Sequence, residues 1–108
     1  MTKQMLIGLL TGGLLAASLG AAAEGNPETG KRAAETCMGC HAIERYFNVY
    51  PTYHVPRVGG QSAGYIESAL KAYRSGSRKH ETMNANAANL SDQDIADIAA
   101  YFAGQAAK

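Results

Sequence analysis

Ile66, Ala69, Leu70 and Tyr73 recur at i, i+3, i+4 and i+7, the spacing that lays apolar side chains along one stripe of an α-helix. Ser62 ahead of them offers an N-cap oxygen, and Gly76 behind them can turn out of the helix, so the pattern predicts a helix between these two residues. A second stripe, Ile95, Ile98, Ala99 and Phe102, follows the capping-box pair Ser91 and Asp94 and stops before Gly104. Asn26-Pro27-Glu28 reads as a third helix start. Its side-chain oxygen accepts from first-turn amides, the proline needs no amide partner there, and the carboxylate suits the positive end of the dipole. That helix is predicted from Pro27 to about Met38. Between the helices, Ala42 to Gln61 carries Pro51, Pro56, Gly59 and Gly60 with no alternation long enough to predict a strand, and Ser75 to Leu90 has little apolar content. Both are expected to be loops, and loops this long are uncommon unless they wrap something.

The 108 residues include 10 Lys+Arg against 9 Asp+Glu, a balance that offers no basic face for nucleic acid. With 6 Tyr, 2 Phe and no Trp, the chain is short of the bulky side chains from which a small domain builds a self-sufficient core. The start of the chain is different in kind. Lys3 precedes an uncharged run from Met5 to Ala23 that ends in Ala21-Ala22-Ala23, which reads as a secretory signal peptide over 1–23 with a small-residue cleavage site. An uncleaved membrane anchor is the rival, since the run is just long enough to span a bilayer, but Gly8, Thr11, Gly12, Gly13 and Gly20 dilute its hydrophobicity. Cleavage leaves 24–108 as one domain, exported to the periplasm and without stable membrane insertion.

Cys37-Met38-Gly39-Cys40-His41 suggests what the loops wrap. Two cysteines with two residues between them can form thioethers to the two vinyl groups of a haem, and the adjacent histidine then lies under the iron as proximal ligand. A C-x-x-C also occurs as a redox-active disulfide, a structural disulfide or half of a zinc site. The first expects a βαβ context that is not seen here. Zinc needs two more well-spaced ligands, and His54 and His80 are far apart in the chain. Covalent haem c is the favoured reading.

From these residues on, the chain resembles the class I c-type cytochromes, in particular the bacterial periplasmic branch whose diheme members carry two such domains in tandem. The resemblance rests on Cys37 to His41, Val55-Pro56-Arg57-Val58-Gly59-Gly60-Gln61, Tyr73-Arg74-Ser75-Gly76-Ser77-Arg78, a methionine in the following loop, and the run from Leu90-Ser91-Asp92 to Tyr101-Phe102. It implies an all-α cytochrome c fold, with three main helices and long loops wrapped around one covalently bound haem, and first and last helices that cross over it. The single haem motif implies a monohaem member. It further implies that the Pro56 carbonyl accepts a hydrogen bond from His41, and that Gly30 lets Tyr101 or Phe102 approach the first helix closely. Two departures stand out: Met83 is followed by Asn84-Ala85-Asn86 where many members have a nearby proline, and 42–55 is longer and more aromatic than in minimal members.

The distal iron ligand follows by elimination. Met1 and Met5 leave with the signal peptide, and Met38 sits inside the attachment loop, which leaves Met83. A methionine opposite a histidine raises the haem potential and suits one-electron transfer. His80, three residues away, is its competitor. Tyr50 and Tyr53 are candidate partners of a haem propionate, and the cluster Arg74, Arg78, Lys79 and His80 of a propionate or an acidic partner. The bland alternatives are core filling for the tyrosines and a solvated cationic loop for Arg74, Arg78, Lys79 and His80. His54 is expected to be an exposed or satisfied loop residue.

The function expected is that of a periplasmic one-electron carrier and not an enzyme, because few acid-base groups are placed to act over an open iron. Its donor would be a dehydrogenase or quinol-oxidising complex, and its acceptor an oxidase or reductase. Two alternatives are a haem-binding subunit of a larger redox complex and a haem enzyme or sensor with an open sixth position.

Overall fold

In the computed structural model, which describes residues 24–106, the chain begins where Asn26 caps a helix. The Asn26 side-chain oxygen accepts from the amides of Glu28 and Thr29 at 2.9 and 3.1 Å. The helix it starts, α1 (Pro27–Ala33), does not run through to Met38 as the sequence pattern predicts. It breaks at Ala34, and the chain resumes as α2 (Glu35–His41). Ala34 is wholly buried, with φ −86° and ψ 1°, and its amide closes the last turn of α1 while its carbonyl accepts from Cys37 and Met38. The break thus falls on a small residue buried in the core, and no breaker residue marks it in the sequence. The signal peptide expected over 1–23 lies outside the described residues.

α3 (Ala63–Ser75) and α5 (Asp92–Ala103) form between the capping residues predicted for them. Ser62 accepts from the Tyr65 amide at 3.2 Å, and Gly76 ends α3 at φ 78°, a left-handed conformation suited to glycine. At the start of α5, Ser91 and Asp94 bond each other's backbone amides reciprocally. The stripes of these helices meet: Ile66 and Leu70 of α3 and Ile95, Ile98, Ala99 and Phe102 of α5 form one buried cluster with Ala34 and Ala87.

α1 crosses α5 at backbone contact. A Cβ at Gly30 would overlap the Asp97 carbonyl and come within 3.0 Å of the Tyr101 Cβ. The close approach is thus to the α5 backbone and Tyr101, with Phe102 instead in the core beyond. Asp97, buried at 4% exposure, accepts from the Asn26 amide at 2.7 Å and from Gln93 at 2.8 Å. Gln93 also reaches the Glu24 carbonyl at 3.1 Å, so the segment entering α1 is tied to α5 on both sides of Gly25.

Two stretches expected to be loops contain regular structure. Phe47–Val49 (β1) and Thr52–His54 (β2) pair antiparallel, with Phe47 opposite His54 and Asn48 opposite Tyr53. The turn is held by Asn48 Nδ2 donating to the Pro51 carbonyl and Thr52 Oγ1 donating to the Val49 carbonyl, both at 2.8 Å. Strands of three residues carry too short an alternation to be read as a pattern. Glu81–Ala87 forms α4, whose one buried residue is Ala87, so it shows no apolar stripe. The main-chain scaffold is therefore helical with a small hairpin, correcting the expectation of no strand. Among the described residues no helix is long and apolar enough to cross a membrane.

Candidate functional site

The bend at Ala34 turns α2 so that Cys37, Cys40 and His41 border a cavity of about 340 Å³. Further lining comes from Val58, from Ile66, Ala69 and Leu70 of α3, and from Ile98 and Phe102 of α5. The hairpin contributes Tyr53 and His54, and α4 with the residues before it contributes Arg78, His80, Thr82 and Met83. The space is mostly apolar with a few polar groups on its wall, the usual character of a cofactor site.

Cys37 and Cys40 are free thiols, three positions apart on α2 and therefore on one side of it. Burial pushes the Cys37 thiol up from its ordinary value, which keeps it protonated at neutral pH. His41 closes the same helix, and its Nδ1 donates to the Pro56 carbonyl at 2.6 Å. That bond fixes the tautomer and leaves Nε2 with its lone pair free to bind a metal. Met83 is half-buried, packs against the helical core and lines the cavity.

The other candidates separate. Tyr53 lines the cavity, its hydroxyl 3.1 Å from Thr82 Oγ1. Tyr50, three residues earlier, sits at the hairpin tip at 95% exposure, and the structure does not bring it to the cavity. Arg78 lines the cavity, donates to the Tyr65 hydroxyl at 3.4 Å and lies over the Tyr73 ring at 4.8 Å. Arg74 turns away to bind the Leu90 carbonyl at 2.9 Å and Asp92 at 2.6 Å, so it belongs to the scaffold. His54, expected to be an exposed loop residue, is exposed but also borders the cavity, edge-on to Phe47 at 5.0 Å.

His80 lines the cavity beside Tyr53, the two rings meeting edge to face at 4.7 Å and 88°. Its Nδ1 is buried with no hydrogen-bond partner, a state that costs about 1–3 kcal/mol unless something fills it. Thr36, Tyr65 and Thr82 also line the cavity without having been singled out in the sequence. A Tyr65 beside the Ile66–Leu70 stripe was the available signal, since it flanks the face that turns inward.

The residues present fit a haem. The attachment cysteines and an oriented imidazole border the cavity, and its interior is mostly apolar. Zinc is a poorer match, because among the described residues no group of three His, Cys, Asp or Glu comes together.

A helical fold that closes over a cavity bordered by C-x-x-C-H defines a c-type cytochrome. Residues 27–105 match the profile of the Cytochrome c family, and the chain belongs to that family. Members bind haem c covalently, and Cys37, Cys40 and His41 occupy the attachment motif here. The chain is similar to cytochrome c-554(548) of Halomonas halodenitrificans, 45% identical over 84 residues that cover 75% of this chain and 98% of that protein. It is also similar to cytochrome c4 of Pseudomonas aeruginosa, 36% identical over 97% of this chain, of which it spans 49%. The reduced recombinant cytochrome c4 of Pseudomonas stutzeri superposes with a TM-score of 0.57 at 25% identity, covering 80% of this chain and 53% of that one. The chain thus resembles one domain of a diheme cytochrome c4 and spans about half of such a protein.

Proposed function

We propose that this haem-based electron carrier works in the periplasm, with haem attached at Cys37 and Cys40 and its iron held between His41 and Met83. The observation that carries the axial pair is the pairing of two residues on one cavity: an imidazole oriented by the Pro56 carbonyl and a half-buried thioether from α4. When bound, the haem supplies a one-electron redox centre whose potential rises with a methionine ligand.

The chain's own residues do the rest. Pro56 holds the His41 ring and makes it a better donor to metal. Ile66, Leu70, Ile98 and Phe102 keep water off one face of the cavity, which limits reorganisation when charge changes. Tyr53 and Arg78, which line the cavity, are the proposed propionate partners, while Tyr50 is not on the lining. Export fits the reading of 1–23 as a signal peptide. The partners are redox proteins, with a dehydrogenase or quinol-oxidising complex as donor and an oxidase or reductase as acceptor.

A second reading, a subunit held in a larger redox complex, draws on the hairpin. Val49 and Tyr50 are 84% and 95% exposed, large side chains of the kind found at interfaces. One relative, 33% identical over 67 residues, is the cytochrome subunit of a sulfide dehydrogenase in Chlorobaculum tepidum.

The test is a visible spectrum of the holoprotein in both redox states, with and without cyanide or carbon monoxide. A His/Met iron shows the sulfur-to-iron charge-transfer band when oxidised and resists the added ligand. Met83→Ala removes the band, admits the ligand and lowers the potential while the haem stays attached. If the unmodified protein lacks the band and His80→Ala, not Met83→Ala, admits the added ligand, His80 is the ligand and the assignment is wrong. Ready ligand binding by the unmodified protein sinks the closed-iron carrier.

A further inference from the structure

The short helix α4 must keep Met83 at the cavity, and it has little to do so with. Ala87 is its one buried residue, the run 81–87 contains no proline, and no side chain caps its first turn. A single helical turn or two with so little burial is weakly fixed by packing alone.

Asn84 supplies what packing does not. Its Oδ1 accepts from the His80 amide at 2.9 Å, and its Nδ2 donates to the Tyr73 carbonyl at 2.8 Å and the Arg78 carbonyl at 2.9 Å. Both donors and the oxygen of the side-chain amide are thus used. A flipped amide would set nitrogen against an N–H and oxygen against two carbonyls, so the partners fix its orientation. Two of the partners lie outside α4. Tyr73 belongs to the last turn of α3, and Arg78 is itself turned back on that helix, its amide donating to the Ala72 carbonyl at 3.1 Å. α3 in turn is anchored in the core through Ile66 and Leu70.

Asn84 is not on the cavity lining, whereas Met83, the residue before it, is half-buried and on it. Any effect of Asn84 on a bound cofactor therefore passes through its neighbour. A thioether sits on a flexible stem, so it stays in place only while the backbone behind it does. We propose that Asn84 is the positioning residue of Met83: its side-chain amide ties the start of α4 to the end of α3 and so keeps the thioether at the cavity. This rests on the reading of Met83 as the distal iron ligand.

The experiment follows the sulfur-to-iron band of the oxidised holoprotein and the rate of cyanide binding, which requires Met83 to leave. Asn84→Ala removes all three bonds while putting a better helix former into α4, so a loosening cannot come from helix propensity. Cyanide binding is expected to accelerate about tenfold, the change set by one or two ordinary hydrogen bonds, and the band to weaken. Asn84→Asp keeps the acceptor for His80 but turns an acceptor-only group toward two carbonyls, so it behaves like Asn84→Ala or worse. Ser91→Ala is the control: it weakens the α5 cap without touching these bonds, and leaves the band and the cyanide rate as they are. If Ser91→Ala moves them as much as Asn84→Ala does, or Asn84→Ala moves neither while the unmodified protein shows the band, the proposal falls. Absence of the band from the unmodified protein removes the Met83 reading itself, and the proposal with it.

The unmodified holoprotein decides the matter even if the variants fail to accumulate. Coupling is reciprocal, so displacing Met83 must loosen the Asn84 bonds by the factor those bonds give the ligand. Exchange of the Asn84 side-chain amide protons, followed by NMR, is expected to speed up about tenfold when cyanide binds. An exchange rate that cyanide leaves unchanged overturns the proposal.

Discussion

The packed helices α1, α3 and α5 and the wall made by the hairpin and α4 are built differently. In the helical half, Ile95, Ile98, Ala99 and Phe102 are almost fully buried, and the buried carboxylate of Asp97 has two donors. In the other half, Ala87 is the one buried residue of α4, Phe47, Val49 and Tyr50 are exposed, and His80 Nδ1 is unpaired. The first half holds itself by side-chain burial and backbone closeness. The second holds a shape around space, and what fills that space supplies the contacts it lacks.

The largest break in this comparison comes from removing the attachment. Cys37→Ser with Cys40→Ser leaves no thioether, and holoprotein yield is expected to fall sharply. Hydrogen exchange should lose protection first in the hairpin and α4, while α5 amides keep what remains. A stable, fully protected apoprotein would show that the wall stands without haem.

Gly30→Ala strikes the helical half instead. The new methyl overlaps the Asp97 carbonyl, so α1 must move off α5, at about 1–3 kcal/mol of overpacking strain. Urea unfolding of the holoprotein measures it, and an unchanged midpoint would mean that the crossing has slack.

Ser91→Ala removes the α5 cap and is expected to cost about 1 kcal/mol. Asp94 gives it a pH signature, because bonds from Ser91 hold the carboxyl below its ordinary value of 3.8. A depressed folded value adds stability that is complete above the ordinary carboxylate range and is lost as pH falls through the folded value. The gap between Ser91→Ala and the unmodified protein should therefore be widest near neutral pH and narrow in acid. A gap that widens in acid would reverse the sign of this linkage.

Tyr50→Ser at the hairpin tip should change stability by less than about 0.5 kcal/mol, since the ring is 95% exposed. Any larger loss would place Tyr50 in a contact. If the subunit reading is right, the same change weakens complex assembly while leaving the spectrum intact, which copurification would reveal.

Caps and stripes were legible in the chain because they are local. Ser62, Ser91, Asp94 and Gly76 act on residues within one turn, and the stripes of α3 and α5 are long enough to show their period. Cys37, Cys40 and His41 were legible for the same reason: attachment chemistry dictates their spacing. By contrast, Ala34, where the first helix breaks, is buried in a cluster drawn from α3, α4 and α5, and nothing in Ala33-Ala34-Glu35 announces the break. The choice between Tyr50 and Tyr53 depended on a hairpin whose strands are too short to be read, since pairing turns Tyr53 toward the cavity and leaves Tyr50 in the turn.

By itself, then, the amino-acid sequence determined a helical chain with a covalent haem motif, because capping, periodicity and thioether spacing are decided by near neighbours. The tertiary structure alone decided which side chains line the cavity, because residues far apart in the chain meet there only when it has folded.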